Sequence, residues 1–300
     1  MNISELTELC KRLDCNIKEE CLLSEYITFK FGGACRALID INSAEAASEL
    51  LKYIKKNNMK YAVLGKGSNV LVKDEGFDGI ILHFGNDFAD IQTENLTIKA
   101  QTGAMLSAVC KKAQESGLSG MENLFGIPGT VGGALYMNAG AYGSEMRDVV
   151  KSAEYIDENG NIRTIFADDM NLSYRHSIFA ERKCIITSVE IELEKGEAGE
   201  IKSAMHECMQ KRVSKQPLEY PSAGSTFKRP EGSYASLLIE QCGLKGFAVG
   251  DAQVSEKHSG FVINKGSASC SDVLELCENV RNIVSRKTGY ILELEPVVLE

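Results

Sequence analysis

Gly126-Ile127-Pro128-Gly129-Thr130-Val131-Gly132-Gly133-Ala134 runs on through Met137-Asn138-Ala139-Gly140-Ala141-Tyr142-Gly143. So dense a run of glycine leaves contacts to the main chain, because only glycine turns freely and lets backbone approach a ligand closely. A pyrophosphate is held in this way; the plain alternative is a glycine-rich connection between packed elements. A second such loop, Gly65-Lys66-Gly67-Ser68-Asn69, follows the strand-like run Tyr61-Ala62-Val63-Leu64 and favours the ligand-holding reading.

Neither loop belongs to the common nucleotide motifs. A dinucleotide fingerprint needs a third glycine and a helix opening at the loop, whereas Val70-Leu71-Val72 is β-branched and strand-like. Neither loop ends in the Gly-Lys-Ser/Thr of a P-loop.

Outward from these loops, residues 1–20 read as a polar helix and Ala37-Leu38-Ile39 as the first strand. Asn42 is placed to cap the next helix, with Glu45 reciprocating, and Ala47, Leu50, Leu51 and Ile54 share its inner face. Strands follow at 79–82 and 96–100, then an amphipathic helix over 104–116 closed by Gly117. Residues 149–157 and 162–166 pair through Asn159-Gly160, a hairpin signal. Residues 185–193 alternate apolar and polar as a long strand. Helices are expected over 199–212, 235–241 and 271–287, with loop and strand over 246–266 and a last strand over 290–299. The pattern is α+β, with a mostly antiparallel middle and a soft boundary near residue 200.

A 300-residue chain with 44% hydrophobic and 25% charged residues is an ordinary globular protein with room for two or three modules. No run approaches the roughly 18 apolar residues of a membrane span, and Met1-Asn2-Ile3-Ser4-Glu5 carries no export signal. The expected location is the cytoplasm. Ten cysteines without a Cys-x-x-Cys pair read as reduced core residues. Four scattered histidines give no metal site, so none is expected. A net charge of -9 argues against a nucleic-acid surface while leaving room for an anionic small ligand.

The two glycine stretches, together with Tyr174-Arg175-His176-Ser177-Ile178-Phe179, Ala223-Gly224-Ser225-Thr226-Phe227 and Leu292-Glu293-Leu294-Glu295, resemble in identity and order the UDP-N-acetylenolpyruvoylglucosamine reductases. These flavoenzymes make UDP-N-acetylmuramic acid for peptidoglycan, a cell-wall step tied to cell shape and division. The resemblance runs from about Thr28 to Glu295. It implies a fold similar to the vanillyl-alcohol-oxidase (PCMH-type) flavoproteins, with FAD-binding subdomains at 1–85 and 86–200 and a substrate-binding domain at 201–300. The distance between Arg175 and Ser225 is too short for the insertion of one branch and implies the shorter, type II form.

The resemblance further implies non-covalent FAD held by Gly65, Lys66, Gly67, Ser68, Asn69, Gly126, Gly129, Thr130, Gly132, Gly133, Asn138 and Gly140. NADPH is the implied co-substrate, giving hydride to FAD and leaving before UDP-N-acetylglucosamine enolpyruvate enters. Hydride then passes from flavin N5 to the vinyl carbon, and charge develops on the α carbon and carboxylate. Stabilising that charge is worth roughly 3–4 kcal/mol per preorganised donor, and the α carbon needs a proton. Arg175 is the implied carboxylate partner, since guanidinium pairs bidentately with carboxylate. Ser225 is the implied proton donor, its acidity raised by Lys215, Arg212 or the amides near Gly224. Glu295 is implied as a neutral carboxyl donating to the enolate. Pro296, where the family usually has Val, leaves open whether Glu293 or Glu295 reaches the substrate. Arg212 and Lys215 are implied to meet the substrate's diphosphate or sugar; Lys257 and His258 carry no assignment.

Two alternatives stand beside this reading. An FAD oxidase of the same fold, acting on an alcohol or sugar lactone, would have no need of Arg175, Ser225 and Glu295 together. A catalytically inert flavin- or nucleotide-binding module would need none of them.

Overall fold

A computed structural model describes residues 3–300. The chain forms two compact units, one of residues 1–19, 37–66 and 79–211, the other of residues 20–36, 67–78 and 212–300. Among the described residues, no helix is long and apolar enough to cross a membrane.

The first unit opens with helix α1 (Ile3–Arg12), not the helix over 1–20 that polarity suggests. Residues 1 and 2 of that expectation lie outside the described residues. Asp14 takes a left-handed φ of 54°, and the Cys15 N–H donates back to the Cys10 carbonyl at 2.9 Å. This is a Schellman-type stop with aspartate where glycine is usual, and a strand over Asn16–Leu22 follows. Helix α2 (Ala44–Lys56) is capped by Ser43, whose Oγ accepts from the Ala46 N–H at 3.1 Å. The Asn42 amide instead donates to the carbonyls of Leu13 and Asp14, where α1 has ended, so the cap falls one residue later than expected. Leu50, Leu51 and Ile54 of α2 meet Leu6 and Cys10 of α1 and Ile39, Ile80 and Leu82 of the sheet. In that sheet Tyr61–Leu64 runs parallel to the strand Phe77–His83.

A five-stranded antiparallel sheet carries the rest of this unit. Its order is Ile162–Phe166, Val150–Ile156, Ile185–Glu192, Thr97–Gln101, Ile91–Glu94. The hairpin expected at Asn159-Gly160 is present, with Ile156 opposite Ile162. Ile185–Glu192 does not alternate: its first five residues are all buried, as suits a central strand covered on both faces. Helix α3 (Leu106–Glu115) turns Leu106, Val109, Cys110 and Ala113 inward. Three more helices follow, α4 (Val131–Tyr136), α5 (Ile178–Arg182) and α6 (Ala198–Lys215), the last running into the second unit from Arg212.

The second unit contains helices α7 (Ala235–Gln241) and α8 (Cys270–Thr288) and a three-stranded sheet of Ala248–Val249, Ala252–Val254 and Val262–Asn264. α8 is capped by a reciprocal Ser269–Asp272 box. Asp74 adds bonds from the N–H groups of Cys270 and Ser271 and from Ser271 Oγ. The last strand is shorter than expected, Val297–Leu299, parallel to Val70–Val72. Pro296 has no N–H to give a ladder; before it only Leu294 makes a bridge, to Phe227. All ten cysteines are buried and outside any disulfide.

Candidate active site

In the first unit the two glycine stretches touch. A Cβ built on Gly65 would lie 2.6 Å from Thr130 Oγ1, so the contact exists only because that side chain is absent. Thr130 caps α4, its Oγ1 accepting from the Gly133 N–H at 3.3 Å. The other leading amides of α4 are also committed: Val131 donates to the Ala104 carbonyl at 2.8 Å and Gly132 to the Thr102 carbonyl at 3.1 Å. Gly132 is thereby pressed onto Thr102, where an added Cβ would fall 1.6 Å from Oγ1. Gly133 is different. It is exposed, and a Cβ there would meet only Thr130 Oγ1, at 3.5 Å.

Among the described residues, the N–H groups of Gly65 and Lys66 donate to no acceptor in the chain. Free amides beside an uncovered glycine are what an anionic pyrophosphate requires, so this part of the chain fits FAD. Asn138 behaves otherwise. It is wholly buried, its Nδ2 donating to Glu145 Oε2 and to the Ser173 carbonyl, both at 2.9 Å, while Oδ1 accepts from the Arg147 N–H at 2.9 Å. Gly140 sits in a small hairpin, Gly140–Ala141 against Ser144–Glu145.

Arg175 stands at the third position of a tight turn from Ser173 to His176, closed by backbone bonds of 3.1 and 3.2 Å. Its φ is 54°, and its guanidinium carbon lies 5.1 Å from the centre of the Tyr174 ring. Glycine or asparagine is the usual occupant of such a position.

Ser225 and Glu295 belong to the second unit, on adjoining segments. The Thr226 N–H donates to the Gly260 carbonyl, the Glu295 N–H to the Thr226 carbonyl, and the Lys228 N–H to the Glu293 carbonyl, at 2.9, 3.0 and 2.8 Å. Thr226 Oγ1 accepts from the Val262 N–H at 2.8 Å. Before Ser225 the Pro221 carbonyl accepts from the Asn264 N–H at 2.9 Å, so the backbone on both sides is held, while Ser225 itself is exposed and its hydroxyl bonds to nothing among the described residues. The turn-serine role falls to Ser222, whose Oγ accepts from the Gly224 N–H at 3.5 Å. Glu293 is exposed and paired with Lys228 at 3.3 Å; Glu295 is half-buried, its carbonyl accepting from Asn69 Nδ2 at 3.4 Å. Gly67 accepts from the Thr28 N–H at 3.1 Å, and Ser68 is half-buried.

Arg212 is only 5% exposed, whereas Lys215, at the end of α6, is exposed. Sequence reasoning left His258 unassigned. Burial, joined by the charges of Lys245 and Lys215, holds its pKa below the ordinary imidazole value. Its Nδ1 accepts from the Gly260 N–H at 3.1 Å, and Gly260 in turn carries Thr226. No local pattern flags this link, because it joins residues more than thirty positions apart.

Comparison with known proteins agrees with these observations. Residues 216–299 match the family described as UDP-N-acetylenolpyruvoylglucosamine reductase, C-terminal domain, and residues 35–165 match an FAD binding domain. The reductase of Clostridium perfringens (strain SM101) is 48% identical over 276 residues, covering 92% of this chain and 90% of that one. That of Caldanaerobacter subterraneus subsp. tengcongensis is 43% identical, covering 99% and 96%. The crystal structure of the Thermus caldophilus reductase superposes with a TM-score of 0.82 at 34% identity, covering 95% of this chain and all of that one. A Physcomitrella patens BBE-like protein, at 12% identity and a TM-score of 0.51 over 63% of this chain and 44% of that one, shares the fold alone. The flavoprotein fold expected from the sequence is present, and with such identity over nearly the whole length, this chain belongs to the UDP-N-acetylenolpyruvoylglucosamine reductases.

Proposed function

We propose that Arg175, Ser225 and Glu295 divide the work of the family reaction, with NADPH as the reductant. The reaction is the FAD-dependent reduction of UDP-N-acetylglucosamine enolpyruvate to UDP-N-acetylmuramate in peptidoglycan precursor synthesis. FAD, held by the glycine stretches, would supply hydride chemistry toward the vinyl carbon. Arg175 pairs with the substrate carboxylate in a bidentate fork and stabilises the charge that grows there. Ser225 gives its proton to the α carbon. Glu295, kept neutral, donates to the enolate oxygen; the exposure of Glu293 and its pairing with Lys228 favour Glu295 over it. Arg212 and Lys215 serve the UDP moiety.

In this reading residues 1–85 and 86–200 hold FAD and 201–300 the sugar nucleotide. Between Arg175 and Ser225 the helices and strands are α5, Ile185–Glu192, Glu194–Lys195 and α6, which supports the type II form. The protein works in the cytoplasm on a small anionic substrate, without nucleic acid, where its product serves wall growth, cell shape and division. One observation carries the assignment of Ser225: an exposed hydroxyl with no bond among the described residues, on a backbone fixed on both sides and adjoining Glu295.

Ser225→Ala tests it in the two half-reactions. Flavin reduction by NADPH is expected to persist, while reoxidation by the enolpyruvyl substrate slows by about 10²–10⁴-fold, the usual worth of a positioned acid. Equal damage to both removes Ser225 from this role.

A further inference from the structure

We propose that Asn138 and Ser177 are positioning residues, holding the turn that carries Arg175 in the conformation that meets the substrate carboxylate; this rests on the reading of Arg175 given above. The turn is not one an arginine adopts by itself. With φ at 54° its Cβ is crowded against the following carbonyl, and a strained residue of this kind persists only where its surroundings over-determine it.

The surroundings do so from both flanks. Before the arginine, the Ser173 carbonyl accepts from the His176 N–H within the turn and also from Asn138 Nδ2. Beyond it, Ser177, wholly buried, donates its hydroxyl to the Tyr136 carbonyl at 2.6 Å. Tyr136 is the last residue of α4 and Asn138 lies two further on, so both ends of the turn hang from one short piece of chain. Asn138 is fixed there in its turn by Glu145 and the Arg147 N–H. Two N–H donors and a carbonyl on one short, buried side chain describe an amide, and neither alanine nor aspartate supplies all three. His176, paired with Glu181 at 2.8 Å, secures the next residue as well. The same asparagine that resemblance places with the cofactor therefore has its amide directed toward the arginine turn, and α4 and Arg175 form one mechanical piece.

A double-mutant cycle tests the proposal, read as single-turnover reoxidation of reduced enzyme by UDP-N-acetylglucosamine enolpyruvate, with rates taken per bound flavin. Asn138→Ala and Ser177→Ala are each expected to slow this step by up to about a hundredfold, the scale of a misplacement near 1 Å. In an Arg175→Ala background each is expected to change the rate by less than about twofold, since residues acting through one group do not add. If either substitution multiplies the Arg175→Ala defect by its full single-mutant factor, the proposal is overturned while Arg175 keeps its role. If Arg175→Ala alone leaves reoxidation unchanged, the Arg175 reading falls and this proposal with it. Should Asn138→Ala not fold, Ser177→Ala, a loss of one oxygen atom, completes the same cycle.

Discussion

Gly132 and Gly133 are neighbours in one helix and identical in sequence, yet the structure gives alanine opposite consequences at the two. At Gly132 the new Cβ would lie 1.6 Å from Thr102 Oγ1 and 2.8 Å from its Cβ. Thr102 is 5% exposed, and its carbonyl already holds the Gly132 N–H, so neither partner has room to withdraw. Overpacking of this kind costs about 1–3 kcal/mol, which lowers Tm by about 2–12 °C for a unit of this size. At Gly133 an added Cβ would have Thr130 Oγ1, at 3.5 Å, as its nearest atom beyond the local helix backbone. Alanine there removes the helix penalty of glycine, about 0.5–1 kcal/mol, and raises the Tm of the apoprotein by about 1–4 °C. If the exposed amide face at Gly133 holds FAD as proposed, however, the alanine methyl group enters the cofactor's space. A similar steric cost of about 1–3 kcal/mol weakens FAD binding by about 5- to 150-fold. Calorimetry of the apoprotein and flavin-fluorescence titration separate the two effects. A Gly133→Ala protein that binds FAD as tightly as the parent, or a Gly132→Ala protein with an unshifted Tm, refutes the reasoning.

Two further expectations concern the second unit. Burial alone would raise the pKa of Asp74, but bonds from Ser271 Oγ and the Cys270 and Ser271 N–H groups outweigh it and hold the carboxyl below its usual range. Its stabilisation is therefore present above the ordinary carboxylate pKa and lost as pH falls through the depressed one. Asp74→Ala should lose about 0.5–2 kcal/mol of capping at α8 by urea unfolding near neutral pH, and a difference from the parent that persists undiminished in strong acid would contradict this. His258 has a lowered pKa, so the unfolded chain binds the proton more readily; stability is complete above about pH 6.5 and declines as pH falls below it. His258→Gln should lose less Tm than the parent on acidification through that window, and parallel losses would exclude His258 as a cause.

The residues proposed to carry the chemistry are more legible in the sequence than the contacts that hold them. Gly65, the run from Gly126 to Gly133, Arg175, Ser225 and Glu295 stand in short contiguous motifs, and α2, α3, α7 and α8 announce themselves by spacing and punctuation. What escaped depends on distant partners. Ser43 displaces Asn42 as a cap because the Asn42 amide is drawn to carbonyls nearly thirty residues away. Asp14 ends α1 in a conformation for which glycine is the usual signal. Pro296 is visible as a departure, but the pairing of the residues after it, Val297–Leu299 with Val70–Val72, joins positions more than two hundred residues apart. Gly132 cannot be told from Gly133 without Thr102, and the bond from Asn138 to the Ser173 carbonyl spans thirty-five positions.

An anaerobic visible spectrum of the purified holoenzyme, recorded after NADPH and again after UDP-N-acetylglucosamine enolpyruvate, follows both half-reactions in one sample. Flavin bands that bleach with NADPH and return in full with the sugar nucleotide are expected. Bands that bleach but return only when oxygen is admitted would contradict this and make the protein an oxidase of the same fold.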